Sequence, residues 1–264
     1  MIGLARTILH YRGFIYGNIK REFQTKYQNS LLGAAWNIIN PLSMIVVYTI
    51  IFSQIMRAKL PGVDNAFAYS IYLCAGTFIW GIFSEIISRS QSVFIDNANI
   101  IKKINFPRIC LPVTIICNSL VNFAIIFSLF TVFLIITGTF PGFVYFEIFI
   151  VLAVATILAI GLGMVVGVLN VFFRDVGQTF SIVMQFWFWF TPIVYPINII
   201  PERFHGLMKF NPMAPVIEAS HAILVLGKSP DWMSLVPSLI IGVLLTMLGM
   251  RLFRKNVGEM VDEL

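Results

Sequence analysis

The sequence predicts an all-α integral membrane protein with six transmembrane helices, and three observations predict it. Hydrophobic residues fill 58% of the 264 positions and charged residues only 11%, where a soluble domain carries about 25% charged residues. Six windows free of Asp, Glu, Lys and Arg run over 27–56, 65–84, 109–146, 148–173, 176–201 and 232–250, close to or beyond the ~20 residues that a bilayer core demands. The cations also divide unevenly between alternate connecting segments, as they do across a membrane.

The elements follow in chain order. Residues 1–30 form a cytoplasmic interface helix, in which Leu4, Ile8, Tyr11 and Ile15 recur at helical spacing beside Arg6 and Arg12. Such a helix lies at the inner membrane surface with its arginines at anionic headgroups, although Leu9 and Tyr16 fall on its other side. The first ~25 residues lack the compact apolar core and small-residue cleavage site of a secretory signal. Residues 31–255 are the transmembrane domain, with spans at 31–55, 67–88, 110–136, 146–169, 178–196 and 232–250. Gly138, Pro141 and Gly142 mark the turn that closes span three. Between spans five and six, Pro201, Pro212, Pro215 and Pro230 cut the chain into pieces too short to cross. These suit short re-entrant helices shielded by protein; a plain extracellular loop is the alternative. Residues 256–264 form a cytoplasmic tail.

With the N-terminus inside, the inner segments hold 13 Lys and Arg and the outer segments five, which puts both termini in the cytoplasm. The net charge of +6 is then an inner-surface property and not a sign of nucleic acid binding.

Little chemistry is visible. Cys74, Cys110 and Cys117 have no metal-like spacing and read as small buried hydrophobes. No charge-free window holds an acid at mid-membrane depth, which disfavours proton coupling, and His10, His205 and His221 lie outside the spans. There is no HExxH and no GxSxG. The run AILVLGKS at 222–229 ends like a phosphate-binding loop but has Ala222 where the first glycine belongs. No cofactor is expected on this chain.

Two inner connections carry pattern. In VFIDNANIIKKINFPRIC, Asp96, Asn97 and Asn99 are candidate N-caps. Ile100, Ile101 and Ile104 form an apolar ridge beside Lys102 and Lys103, and Pro107 stops the helix. A docking helix and a solvated loop with ordinary inner-surface lysines both fit. In NVFFRDVGQ, Arg174 ends one helix and Asp175 opens the next, each with the sign that suits its helix dipole, and Asp175 can cap span five. Gly163 and Gly167 give GLGMVVG a small face for close helix packing.

KREFQTKYQNSLLGAAWNIINP at 20–41, NVFFRDVGQ at 170–178, FWFWFTPIVYP at 186–196 and FNPMAPVIEASHAIL at 210–224 together resemble the membrane subunit of an ABC-2 type exporter. The likeness is to the branch that exports O-antigen, capsule and teichoic-acid polymers. Gln24 and Lys26–Tyr27 depart from the more arginine-rich K-x-R-Y-R pattern of that family.

The resemblance implies a homodimer in the bacterial inner membrane, assembled two-plus-two with an ABC ATP-binding subunit that carries ATP and Mg. The expected substrate is an undecaprenyl-diphosphate-linked polysaccharide such as O-antigen, moved amid membrane lipid. A drug or lipid exporter, or an ATP-independent carrier, are the alternatives. By resemblance the ATPase-coupling residues are Asn99, Ile100, Lys102, Lys103, Ile104, Phe106 and Arg108, with Lys20 and Arg21 on the basic helix. The conduit candidates are Trp36, Asn37, Phe186, Trp187, Trp189, Phe190 and Tyr195. Trp36, Asn37, Asn40 and Pro41 are poor lipid-facing residues and suit a subunit interface or a wet conduit; alternatively Trp36 belongs to an interfacial aromatic belt. Aromatic faces stack on sugar CH surfaces, and Pro192 and Pro196 allow a kink near the outer mouth.

Overall fold

A computed structural model describes residues 10–25, 33–55, 60, 65–103, 107–197, 201, 203, 206 and 208–263. The described residues build an all-helical bundle. In order the helices are α1 (Arg12–Thr25), α2 (Trp36–Tyr48, continued by a π-turn over Thr49–Ile55), α3 (Ala68–Asp96), α4 (Ala98–Lys103) and α5 (Cys110–Ile136). A 3-10 turn (Gly142–Glu147) then leads into α6 (Ile148–Phe172), α7 (Asp175–Trp189), α8 (Ala214–Leu224), α9 (Trp232–Asn256) and α10 (Glu259–Glu263).

Four segments are long and apolar enough to cross a bilayer: α3, α5, α6 with its 3-10 lead, and α9. The remaining two expected spans are shorter. The apolar helix beginning at Trp36 reaches Phe52, and α7 has 15 residues. Span five was expected to run to 196; the helix stops at Trp189 instead. Pro192 has no N–H to return to the Phe188 carbonyl and disfavours helical geometry at Thr191. Thr191 N donates to Phe188 O at 3.2 Å, and the chain runs on from there as turns and bends.

α3 is the hub. Of its apolar window 78% is buried, against 28% for α5 and 22% for α9, so the latter two keep apolar flanks turned outward. α6 lies between α3 and α9, and its glycines let both approach. A Cβ on Gly167 would overlap the Ser90 carbonyl oxygen, and one on Gly163 would fall 2.8 Å from Ser90 Cβ. On the other side, a Cβ on Gly161 would meet Leu245 Cβ at 2.7 Å. The small face of GLGMVVG therefore packs helices together inside one chain.

One end of the bundle, the near end, carries α1, α4, α10 and the α6–α7 turn. Ile15, Phe94, Ile101, Val168, Phe253 and Met260 share one apolar cluster there. The apolar side of α1 (Tyr11, Phe14, Ile15 and Ile19) packs on the bundle, which removes that face from water. One expectation changes. Ile101, expected on an exposed ridge, is 6% exposed and belongs to this core. Leu4 and Ile8 lie outside the described residues.

At the opposite, far end, α8 is an eleven-residue helix with Val216, Ile217, Ser220, His221, Ile223 and Leu224 buried. It packs among α3, α6 and α9. That is the burial of a structural element, and a plain loop would leave these side chains in solvent.

Candidate functional site

The near end brings together charges that the sequence scatters. Glu22 of α1 pairs with Arg89 of α3, and Arg89 Nη1 also lies 3.4 Å from Glu85 Oε1 one turn earlier. Asn118 of α5 donates to Glu22, and Asn122, one turn on, donates to Glu85 Oε2 at 3.0 Å. The chain of contacts ties α1 to α3 and α5. All three ionic side chains are partly exposed, at 28–40%, so the tie acts mainly by holding geometry.

Glu85 corrects an expectation. The charge-free window ended at residue 84, one position short of it. α3 continues for eleven residues beyond, so Glu85 lies about 16 Å inside the helix end. An acid therefore does sit within a long apolar helix. It is compensated by Arg89 and Asn122.

Beside this network α2, α3 and α5 enclose a cleft of about 360 Å³. Trp36, Asn37, Asn40 and Pro41 all line it, with Glu85 and Asn122 opposite. The polar interruption of span one thus faces other helices across a cavity. Trp36 and Asn37 were expected on a conduit; the structure puts them at this cleft.

The aromatic run of α7 divides. Phe186, Trp189 and Phe190 are 60–62% exposed. Trp187 and Phe188 turn inward and meet Trp80 edge-on, at ring-centroid distances of 6.0 and 5.8 Å. A run of five residues covers every side of a helix, so part of it must pack.

After Trp189 the chain is irregular, and its carbonyls are satisfied from α3. Tyr69 Oη donates to Val194 O at 2.7 Å, and Tyr72 Oη donates to Tyr195 O at 2.9 Å. Tyr195 Oη donates to Trp189 O at 2.5 Å. His221 Nε2 lies 3.0 Å from Tyr72 O; since a carbonyl only accepts, Nε2 carries the proton. Tyr69 and Tyr72 were not singled out in the sequence, although the i, i+3 pair of tyrosines was a readable signal for donors on one helix face.

The coupling candidates spread over the near end. Lys20, Arg21, Asn99 and Lys102 are exposed. Arg108 is half-buried and donates to the Val257 carbonyl. Ile100 and Lys103 lie in α4, but their side chains, like Ile104 and Phe106 altogether, are outside the described residues. Asp96 ends α3 and Asn97 caps it, its Nδ2 donating back to Val93 O at 2.8 Å. Asn97 thus serves the longer helix.

At the α6–α7 turn, Arg174 is the N-cap and Asp175 the first helical residue, both exposed. Arg174 makes no side-chain cap, so Asp175 acts through the dipole rather than as the cap. The turn is held by Asn170 instead. Its Oδ1 accepts from Gly177 N at 2.8 Å, and its Nδ2 donates to Gln91 O at 2.7 Å. Among the described residues no group of three His, Cys, Asp or Glu could hold a metal ion, and the three cysteines are free.

Comparison with known proteins follows this layout. Residues 14–225 match the family model described as ABC-2 type transporter. The chain is similar to an O-antigen export system permease protein RfbA of Klebsiella pneumoniae, 29% identical over 89% of this chain and 88% of that one. It is 26% identical to an RfbA permease of Myxococcus xanthus over the full length of both. A polysialic acid transport protein KpsM of Escherichia coli is 24% identical over 91% of this chain and 92% of its own. The family match runs from the Glu22-bearing helix to the end of α8, spanning both the charged network and the tyrosine-held aromatic segment, and the chain belongs to the ABC-2 type transporter family.

Proposed function

We propose that this chain is the permease subunit of an ATP-driven exporter that moves a lipid-linked polysaccharide, such as O-antigen, across the bacterial inner membrane. The observation that carries the reading is the end-to-end correspondence with an O-antigen export permease. Two copies assemble with two ABC ATP-binding subunits, which carry ATP and Mg. Both termini lie in the cytoplasm, so the near end is the inner face. Six segments cross: α2 with its π-turn, α3, α5, α6, α7 and α9. α8 is a re-entrant helix on the outer side.

The chain's own residues suit that task. Lys102 and Asn99, exposed on α4, face the ATP-binding subunit. Motion delivered there and to α1 reaches α3 and α5 through Glu22, Arg89 and Asn118. Phe186, Trp189 and Phe190 offer uncharged aromatic faces along which a neutral polymer slides without a tight stop. The carrier's undecaprenyl chain stays in lipid.

The test is reconstitution with the ATP-binding subunit in proteoliposomes loaded with the lipid-linked polymer. Export that requires ATP and both subunits is expected. Translocation by the permease alone, without nucleotide, overturns the reading.

A further inference from the structure

We infer that the near end of α9 is a binding site for an anionic phospholipid, its phosphate held by Arg251, Arg254 and Lys255 and its acyl chains lying along Ile240, Leu244 and Met247. The inference goes beyond the export reading and does not depend on it.

α9 is the most outward of the four long helices, with 22% of its apolar window buried. Ile240, Leu244 and Met247 are 53–59% exposed, and their spacing of four and three residues puts them on one face. Arg251 follows Met247 by four more residues, so the same stripe passes from apolar to cationic. Arg254 and Lys255 stand three and four residues beyond Arg251, within reach of one headgroup. All three cations are exposed. Depth agrees with this. Trp232 opens α9 at the far end, where an aromatic suits the membrane interface. Arg251 lies nineteen residues on, about 28 Å along the axis, which is close to the ~30 Å thickness of a hydrocarbon core. The triad therefore stands at headgroup level.

The helix dipole accounts for Arg254 and Lys255, which lie in the last turn. Arg251 is a turn earlier, and its like-charged neighbours at i+3 and i+4 repel it. Between Asp231 and Glu259 the chain has no Asp or Glu, so nothing within α9 relieves that repulsion; a bound phosphate does. A second copy of the chain fits the stripe poorly. Copies in one bilayer share an orientation, so their two-fold axis runs along the membrane normal. A shared α9 face would set each triad against its own copy at the same depth, like charge on like charge. Lipid-linked carriers also bear phosphate. However, α9 packs on α6 and α8, whereas the exposed aromatic face belongs to α7. Bulk phospholipid also outnumbers any carrier in a bilayer and holds the site by mass action.

The experiment is native mass spectrometry of the full chain in detergent, which reads the dissociation constant of the first bound lipid. Dioleoyl phosphatidylglycerol and dioleoyl phosphatidylcholine share their chains and differ in the head. One phosphatidylglycerol per chain is expected, bound about tenfold tighter than phosphatidylcholine. Arg251→Gln should weaken it about fivefold, and Arg251→Lys should keep most of the affinity. Replacing all three cations (Arg251→Gln, Arg254→Gln, Lys255→Gln) should abolish the preference. Lys102→Gln removes an exposed near-end cation on α4 and should leave the preference unchanged. The substituted side chains are exposed, so the variants keep the core intact. The proposal is overturned by equal affinity for the two phospholipids, or by an equal loss in Lys102→Gln, which would mean diffuse near-end charge. It is also overturned if undecaprenyl diphosphate binds more than about a hundredfold tighter than phosphatidylglycerol, which would assign the triad to the carrier. None of these outcomes refutes the export reading.

Discussion

Asn211 holds the indole of Trp187: Trp187 Nε1 donates to Asn211 Oδ1 at 2.8 Å, across the end of α7. The same oxygen accepts from Met213 N, and Asn211 Nδ2 donates to Phe190 O and to Thr191 Oγ1, at 3.0 to 3.1 Å. One amide thus spends its full bonding capacity on stopping α7 and starting α8. Asn211→Asp would keep the acceptors and place a second oxygen against the Phe190 carbonyl. It should destabilise the chain by about 2 kcal/mol, read as a lowered midpoint of thermal unfolding in detergent. An unchanged midpoint would show that the clamp is idle.

Trp187 and Trp189 should separate cleanly. Trp187 is half-buried and packed edge-on against Phe83 at 5.4 Å, so Trp187→Ala should cost about 3 kcal/mol through cavity and lost contact. Trp189 is 60% exposed. Trp189→Ala should leave the unfolding midpoint within a degree or two of wild type and reduce surface polymer. Normal polymer in Trp189→Ala would assign that ring to lipid or subunit packing.

Gly177 faces Asn170 so closely that a Cβ would lie 2.7 Å from Oδ1. Gly177→Ala should destabilise by about 1–3 kcal/mol. Asn170→Ala also costs stability, since it strands the Gly177 N–H and the Gln91 carbonyl. In the double variant the clash is gone, so its cost should fall below the sum of the two. Strict additivity would refute the contact.

The α1–α3 tie predicts a measurable coupling. Glu22→Gln, Arg89→Gln and the double variant should close a thermodynamic cycle with an interaction of about 1 kcal/mol, small because the pair is partly exposed. The singles should also lower export per ATP hydrolysed, because α1 then moves without α3. Wild-type stoichiometry in both would remove the network from the coupling path.

Charge reversal at Lys102 and Lys103 should weaken docking of the ATP-binding subunit, with the effect growing as salt is lowered. Co-purification at wild-type yield, with normal export, would leave these lysines as ordinary inner-surface charges.

Composition and charge-free windows sufficed for the helical membrane class, because the bilayer imposes a length and a polarity on every crossing segment. The same logic located α3, α5, α6 and α9 within a few residues on one side or both. It overextended span five, where local rules about Pro192 compete with an apolar run that continues to 196. Helical spacing placed Tyr11 and Ile15 on one face, but what covers that face is decided by the near-end cluster of Phe94, Ile101 and Met260.

Sequence alone determined that this is a helical membrane chain with a polar break at Trp36–Pro41, an aromatic run at 186–190 and small glycine faces, since each is a local property of composition or spacing. Only the tertiary structure decided that Glu22 meets Arg89, that Glu85 and Asn122 stand over the break, and that Asn170 and Asn211 hold the turns at either end of α7. Those pairs lie 67, 37, 7 and 24 residues apart along the chain. Hydrogen bonds and ion pairs act over about 3 Å, so which partners come within reach depends on helix packing that no local pattern encodes.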